Sequence, residues 1–272
     1  YTMDVRGGRG SEPRRISADR DSGLPRYYYS VYDHYLSPSW SPDGTELLVV
    51  SNRNHIWGTG GFWRLRAEPG DSMRLVHDEE TTWKARPDWS PDGTRVVYSS
   101  YLGTQYNRLW LMRSDGGDPL ELTYGAFDAT SPRWSRDARH IAYISSEGGN
   151  TSLWVLDMPG TAKRRVEART RTYLEPVGTL VIAVTDQAGR PVDARVSITG
   201  TDDRSWAPST ALMHADDSFD RSERHFEVGY YHTSGASTLT VPAGTYTVQV
   251  TRGLEYAVAM RTVEVPARGV RS

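Results

Sequence analysis

Side chains able to do chemistry gather at three places in this sequence. The densest is His214-Ala215-Asp216-Asp217-Ser218-Phe219-Asp220, followed by His225 and His232. Imidazoles and carboxylates at this density are a donor set for a divalent metal. The spacing matches neither the His-Glu-x-x-His pair of a helical zinc site nor the alternating acids of a calcium loop. A solvated acidic loop whose histidines cap or pack is the competing reading. No metal site is therefore assigned; His214, Asp216, Asp217, His225 and His232 are the residues that would form one.

The second place is Asn52-Arg53-Asn54-His55-Ile56-Trp57-Gly58-Thr59-Gly60-Gly61. Glycines beside His55 and Trp57 mark a ligand-facing loop, or else a packed connection. It is no phosphate cradle, because no helix pattern follows it. The third is Arg26-Tyr27-Tyr28-Tyr29-Ser30-Val31-Tyr32, where Tyr28 and Tyr32 offer an aromatic platform for a sugar or peptide, or wedge between sheets. Asp43, Asp92 and Asp137 recur at equivalent positions, which is the behaviour of turn residues and not of a single active site. No catalytic or cofactor-binding residue is assigned.

Composition narrows the function classes. Across 272 residues, 32 Lys and Arg nearly cancel 34 Asp and Glu, leaving a net charge of −2 and no basic block for nucleic acid. No apolar run is long enough to span a membrane as a helix. With no cysteine, disulfides, thiolate metal sites and a cysteine nucleophile are excluded. The motif Gly-x-Ser-x-Gly of serine hydrolases is also missing. The first residue is Tyr1, so a processed or truncated start is expected.

The elements that must position these residues come from a repeat. Pro38-Ser39-Trp40-Ser41-Pro42-Asp43-Gly44 returns as Pro87-Asp88-Trp89-Ser90-Pro91-Asp92-Gly93 and, more loosely, as Pro132-Arg133-Trp134-Ser135-Arg136-Asp137-Ala138. The tryptophans are 49 and 45 residues apart. Each copy continues into a β-branched or aromatic run ending in serine, then a third strand (61–65, 108–112, 152–156) and a fourth (119–123 in the second copy, 163–166 in the third). Short strands at this period mark a blade array. Trp40, Trp89 and Trp134 are expected in its core. Residues 1–17 read as the second half of a truncated blade: a third strand Tyr1–Val5, a turn Arg6–Gly10 and a fourth strand Pro13–Ser17. The chain is thus expected to begin inside a propeller.

Trp-Ser-Pro-Asp-Gly followed by a strand ending in Ser resembles the propeller repeat of TolB and its relatives. The resemblance implies about three and a half β-propeller blades, three of them complete over 34–168, and says little about function.

After Val166 the repeat stops. Residues 175–267 alternate in short strands around turns at Gln187-Ala188-Gly189-Arg190-Pro191 and Pro242-Ala243-Gly244, with an insertion over 200–235. Nothing here has a helical period, so an antiparallel β-sandwich follows. Asp-x-x-Gly-x-Pro-Val-x-Ala-x-Val and Val-Pro-Ala-Gly-Thr-Tyr-Thr-Val resemble the transthyretin-like or carboxypeptidase-regulatory-like sandwich. That likeness implies an accessory module.

Taken together, TolB-like blades followed by a sandwich with His-Ala-Asp-Asp-Ser-Phe-Asp-Arg, Tyr-His-Thr-Ser-Gly and Arg252-Gly253-Leu254-Glu255-Tyr256 resemble the upstream region of CehA/McbA-type metallohydrolases. The resemblance implies a metal-binding, amidohydrolase-like catalytic domain downstream. No Asp-x-His-x-His pair occurs here, so none of that family's metal ligands maps onto this chain. The expectation is an all-β, non-catalytic portion of a larger periplasmic or extracellular hydrolase, with any divalent metal held by a domain outside this chain. Its partners would be that domain, a peptide, glycan or protein ligand, or a second copy met through exposed blade edges. A stand-alone binding module is the alternative.

Overall fold

The computed structural model describes all residues except 27–29, 71, 150, 161, 171 and 212–228. Among the described residues all regular structure is β, and it falls into two compact units: Tyr1–Ser145 with Leu153–Val166, and Ser146–Ser152 with Glu167–Ser272.

The blades of the first unit grow from their turns. Ser41 Oγ donates to Asp43 Oδ1 at 2.6 Å, Thr45 N–H donates to the same oxygen at 3.1 Å, and Gly44 N–H closes on the Ser41 carbonyl at 2.9 Å. The second copy repeats this with Ser90, Asp92, Gly93 and Thr94, and the third with Ser135, Asp137 and Arg139. These local hydrogen bonds hold the Asp43, Asp92 and Asp137 carboxyls below their ordinary range, Asp92 at about 2. Position four of the turn needs a positive φ, +71° at Gly44 and Gly93; Ala138 takes it at +57°, against the preference of a residue with a Cβ.

The chain opens with the hairpin β1 (Val5–Arg6) and β2 (Arg9–Gly10), extended by a Thr2–Arg14 bridge. Pairing therefore runs into the stretch read as a turn, and Gly7-Gly8 alone reverses the chain. Three antiparallel meanders follow. The first is β3 (Leu36–Trp40), β4 (Glu46–Ser51), β5 (Gly61–Arg66) and β6 (Met73–His77); the second is β7 (Asp88–Trp89), β8 (Arg95–Ser100), β9 (Arg108–Arg113) and β10 (Leu120–Glu121); the third is β11 (Ala129–Trp134), β12 (His140–Ser145), β13 (Ser152–Asp157) and β14 (Lys163–Arg165).

Alternation along the second strand of each blade sorts side chains between neighbours. Leu48 and Val50 of β4 meet Val96 and Tyr98 of β8 in one core; Val97 of β8 meets Ile141 and Tyr143 of β12 in the next. Leu47 and Val49 pack under Ile16 instead. Strands β4 and β8, covered on both faces, are buried almost throughout, as strands covered on both faces are. Strand β12 alternates buried and half-buried, its Ala142 and Ile144 turned away from the second blade.

The repeat tryptophans differ in burial. Trp89 is 6% exposed, its Nε1 donating to the Ser39 carbonyl of the preceding blade at 3.3 Å, and Trp134 is half-buried, its backbone N–H bound to Asp88 of the preceding blade at 2.7 Å. Trp40, expected in the core, is 50% exposed, because among the described residues its unit has no four-stranded sheet before it.

Among the described residues the second unit has two sheets. One contains β15 (Val177–Ala183) between β18 (Ala236–Pro242) and β21 (Val270–Arg271); the other orders β17 (Tyr231–Thr233), β16 (Ala194–Gly200), β19 (Gly244–Thr251) and β20 (Ala259–Val265). Leu180, Ile182, Leu239 and Val241 from the first meet Val196, Ile198, Tyr231, Tyr246, Val248 and Val265 from the second in a common core. Two sheets closed on one apolar layer are a sandwich arrangement.

Candidate functional site

At one end of the first two blades, the connection from β4 to β5 meets the segment that follows β6. Gly60 lies where the connection folds back on its own start, a Cβ there falling 1.9 Å from the Ser51 carbonyl oxygen at a φ of +76°, and a Cβ on Gly61 would fall 2.1 Å from the His77 carbonyl oxygen at the end of β6. Thr59 and Thr82 staple the segments. Their hydroxyls are 2.8 Å apart, Thr59 Oγ1 donates to the Glu80 carbonyl at 3.1 Å, and Thr82 Oγ1 donates to the Gly60 carbonyl at 2.7 Å.

A third segment, residues 18–26 with 30–35, is clamped onto them by a buried ion pair. Arg26 and Asp33 have wholly buried side chains, with Nη2 donating to Asp33 Oδ1 at 2.7 Å and to the Asn52 carbonyl at 2.8 Å. Arg26 Nε donates to the His55 carbonyl at 3.0 Å. His34 Nε2 reaches the Thr59 carbonyl at 3.0 Å and must carry a proton to do so; burial nevertheless holds its pKa below the usual value.

On this base the residues after β6 alternate as a strand would. Glu79 and Thr81 turn inward, Asp78 and Glu80 outward. Glu79 accepts from Thr81 Oγ1 at 2.6 Å, from Tyr98 OH at 3.1 Å and from Ser100 Oγ, with His77 Nε2 at 3.1 Å. Burial pushes the Glu79 carboxyl up, but hydrogen bonds from His77, Ser100 and Thr81 outweigh it and hold it below the ordinary range. Burial and the Glu79 charge push the Tyr98 hydroxyl up. The carboxylate lies between Ser100 and His77, so the histidine does not reach the serine hydroxyl as a base. The cluster is a satisfied hydrogen-bond hub.

The outward residues make a different surface. Trp57, 58% exposed, donates from Nε1 to Glu80 Oε2 at 2.6 Å. His55 lies between two carboxylates, Nε2 at 2.9 Å from Asp78 Oδ1 and Nδ1 at 3.4 Å from Glu80 Oε1. A preformed indole beside His55, Asp78 and Glu80 suits a ligand that combines a flat or apolar group with hydrogen-bond donors.

Of the residues singled out in the sequence, His55 and Trp57 come together here. Tyr32, 51% exposed, bridges to Asp21 within the clamped segment. Tyr28 lies outside the described residues, as do His214, Asp216, Asp217 and His225. His232 is exposed on β17, edge-on to Tyr230 at 5.7 Å, with Arg195 stacked 3.5 Å from the Tyr230 ring. Among the described residues no three His, Asp or Glu side chains are grouped to hold a metal ion. Sequence reasoning missed Asp78, Glu79, Glu80 and the Arg26–Asp33 pair; the run His77-Asp78-Glu79-Glu80-Thr81-Thr82, with acids of alternating direction, was the available signal.

The family described as the TolB beta propeller domain matches residues 15–205. A curated Agrobacterium fabrum protein of uncharacterized function is 30% identical over 138 residues, covering 47% of this chain and 45% of its own length. Tol-Pal system protein TolB of Xanthomonas campestris pv. campestris is 33% identical over 73 residues, 27% of this chain and 17% of its own. The chain thus spans less than half the length of these curated relatives. Among solved structures, TolB from Acinetobacter baumannii aligns with a TM-score of 0.41 at 14% identity, covering 87% of this chain and 56% of that one. A TolB-type protein from Agrobacterium tumefaciens aligns with a TM-score of 0.33 at 16% identity, covering 86% and 83%.

Proposed function

The chain belongs to the TolB β-propeller domain family, and on that premise we propose that it is the binding and positioning portion of a larger exported, metal-dependent hydrolase. In this reading the second unit is a transthyretin-like or carboxypeptidase-regulatory-like module, and catalysis and its divalent metal belong to a CehA/McbA-type domain outside these 272 residues. The blades bind a ligand or partner protein and govern access to that domain, in the periplasm or outside the cell.

The observation that supports a binding role is the Trp57 surface. Its indole is presented to solvent yet held by Glu80, on a loop whose Gly60 admits no side chain and whose carbonyls are gripped by buried Arg26. A ligand meeting such a surface loses little to loop ordering. The buried Glu79 hub beneath it keeps its hydroxyls and His77 engaged with one another.

The test is the mass of the native polypeptide, read with an antibody to this chain against the 30.5 kDa of the sequence. A chain two or three times heavier, with metal-dependent hydrolase activity lost when the downstream part is removed, supports the reading. A native chain of 30.5 kDa overturns the hydrolase parent and leaves a stand-alone module for a peptide, glycan or protein.

A further inference from the structure

Beside the exposed indole of Trp57 the surface is acidic and lacks a fixed countercharge. Asp78 and Glu80 turn to solvent from alternate positions of one segment, and their oxygens meet His55 and Trp57. Among the described residues neither carboxylate is ion-paired to a lysine or arginine. The two arginines that belong to this loop or grip it are engaged elsewhere. Arg53 lies 5.7 Å over the Trp63 ring, and Arg26 is buried against Asp33. A neutral imidazole donates from a single ring nitrogen, so His55 satisfies one carboxylate and leaves acceptor oxygens open on the other.

Acidic side chains alone are what any solvated loop offers; the indole sets this one apart. Trp57 is 58% exposed, and Ile56 next to it is exposed as well. The hydrogen bond from Nε1 to Glu80 Oε2 fixes the edge of the ring against that carboxylate. A cation within about 6 Å of the ring centroid is therefore also beside the Glu80 charge. The loop is held in place for it: a Cβ on Gly58 would lie 3.0 Å from Glu80 Cβ, and Arg26 grips the carbonyls of Asn52 and His55.

These features select among ligands. Two uncompensated carboxylates repel anions. Quaternary ammonium groups offer no N–H and are held by cages of several aromatic rings, whereas one indole stands here. A guanidinium is flat enough to stack on a single ring and carries N–H donors in a fork that matches a carboxylate. Its aliphatic stem suits the apolar side chain of Ile56.

We propose that the Trp57 surface docks an arginine side chain of a partner peptide, its guanidinium stacked on the indole and donating to Glu80 and Asp78. This rests on the reading of that surface as a binding surface and narrows its occupant to a basic one.

The experiment follows the indole N–H resonances of the isotope-labelled 272-residue chain, that of Trp57 being the one missing from Trp57→Phe. The probes are capped hexapeptides of glycine, serine and leucine that carry arginine, lysine, citrulline or glutamate at one position. A saturable shift of the Trp57 resonance with the arginine peptide is expected. Citrulline, which keeps the shape and loses the charge, binds about tenfold or more weakly. Glu80→Gln keeps an acceptor for the indole and removes the charge; it and Asp78→Asn each weaken the arginine peptide severalfold, with unchanged thermal unfolding. The proposal is overturned if the arginine peptide leaves the Trp57 resonance unmoved up to about 10 mM. It is equally overturned if lysine or citrulline binds as tightly as arginine, or if both charge variants bind as the parent does. A Trp57 shift led by the citrulline or glutamate peptide would keep the surface as a binding site and remove its basic partner, so the two readings fail separately.

Discussion

Trp57 Nε1 and Glu80 Oε2 are 2.6 Å apart, and this hydrogen bond, with the His55–Asp78 contact at 2.9 Å, joins the β4–β5 connection to the segment after β6 on their solvent side. Beneath it the Thr59–Thr82 contact joins the same two segments in the interior. The surface is thus fastened at two levels, one where water competes and one where it does not, and the two carry different weight.

Removing the outer one loosens the surface without endangering the fold. Glu80→Ala deletes the acceptor of Trp57 and one carboxylate beside His55, at a cost of less than about 1 kcal/mol because the groups are exposed. Amide hydrogen exchange across 55–59 is expected to speed up while the urea midpoint hardly moves. Unchanged exchange there would mean that the indole contact does not order the loop.

Gly60→Ala is expected to be severe. Its new methyl would meet the Ser51 carbonyl at 1.9 Å and Asn52 Cα at 2.5 Å, and neither is the end of a flexible side chain. With the strained φ added, a loss of about 3 kcal/mol or more follows, read from denaturant unfolding. Gly44→Ala provides the contrast: the same sign of φ but no atom within 4 Å, so only the strain of about 1–2 kcal/mol.

Two carboxyls, Glu79 buried and Asp88 half-buried, give pH dependences of opposite sign. Burial raises Glu79, but the hydrogen bonds of His77, Ser100 and Thr81 bring it below the ordinary value, so the unfolded chain holds that proton more tightly. Its contribution is present above the unfolded pKa, about 4.3, and is lost as pH falls through the lower folded value. Asp88 is raised by burial, with Trp134 N–H and Arg133 only partly opposing. Its contribution is present below about 3.9 and lost as pH rises through the raised folded value. Glu79→Gln should therefore lose about 1–3 kcal/mol at pH 7 and flatten the acid limb of the stability curve. Asp88→Asn, which still accepts from Trp134 N–H, should be neutral or stabilising at pH 7. Stability-against-pH curves with the two effects exchanged would refute the assignment.

The repeat tryptophans should not cost alike. Trp89→Ala removes a ring that is 6% exposed, fills the core between the first two blades and carries Arg64 stacked at 5.1 Å; about 3–5 kcal/mol is expected. Trp40→Ala, at a position 50% exposed, should cost well under half of that. Equal midpoints in guanidinium chloride would contradict the difference in burial.

Sequence alone determined the local architecture, since its causes are local. Ser41, Pro42, Asp43 and Gly44 close their turn by hydrogen bonds within a few residues, and the next two copies do the same. The β-branched runs after each turn and the glycines of the hairpins needed no distant partner to be read as strands and reversals, so three four-stranded blades and a second β unit after Val166 were legible. The placement of His55 beside Trp57 was legible for the same reason, as both lie on one short loop.

Tertiary structure decided whatever depended on which surfaces meet. The same motif buries Trp89 and leaves Trp40 half in solvent, because burial belongs to the neighbouring sheet and not to the motif. Glu79 and Glu80 are adjacent and chemically alike, yet one is enclosed by donors from β8 and from its own segment and the other faces water. Arg26 and Asp33, unremarkable in a polar loop, become a dry ion pair only when the β4–β5 connection closes over them. Hydrogen-bond partners separated by twenty residues or more leave no periodic trace in a sequence; desolvation on folding selects them.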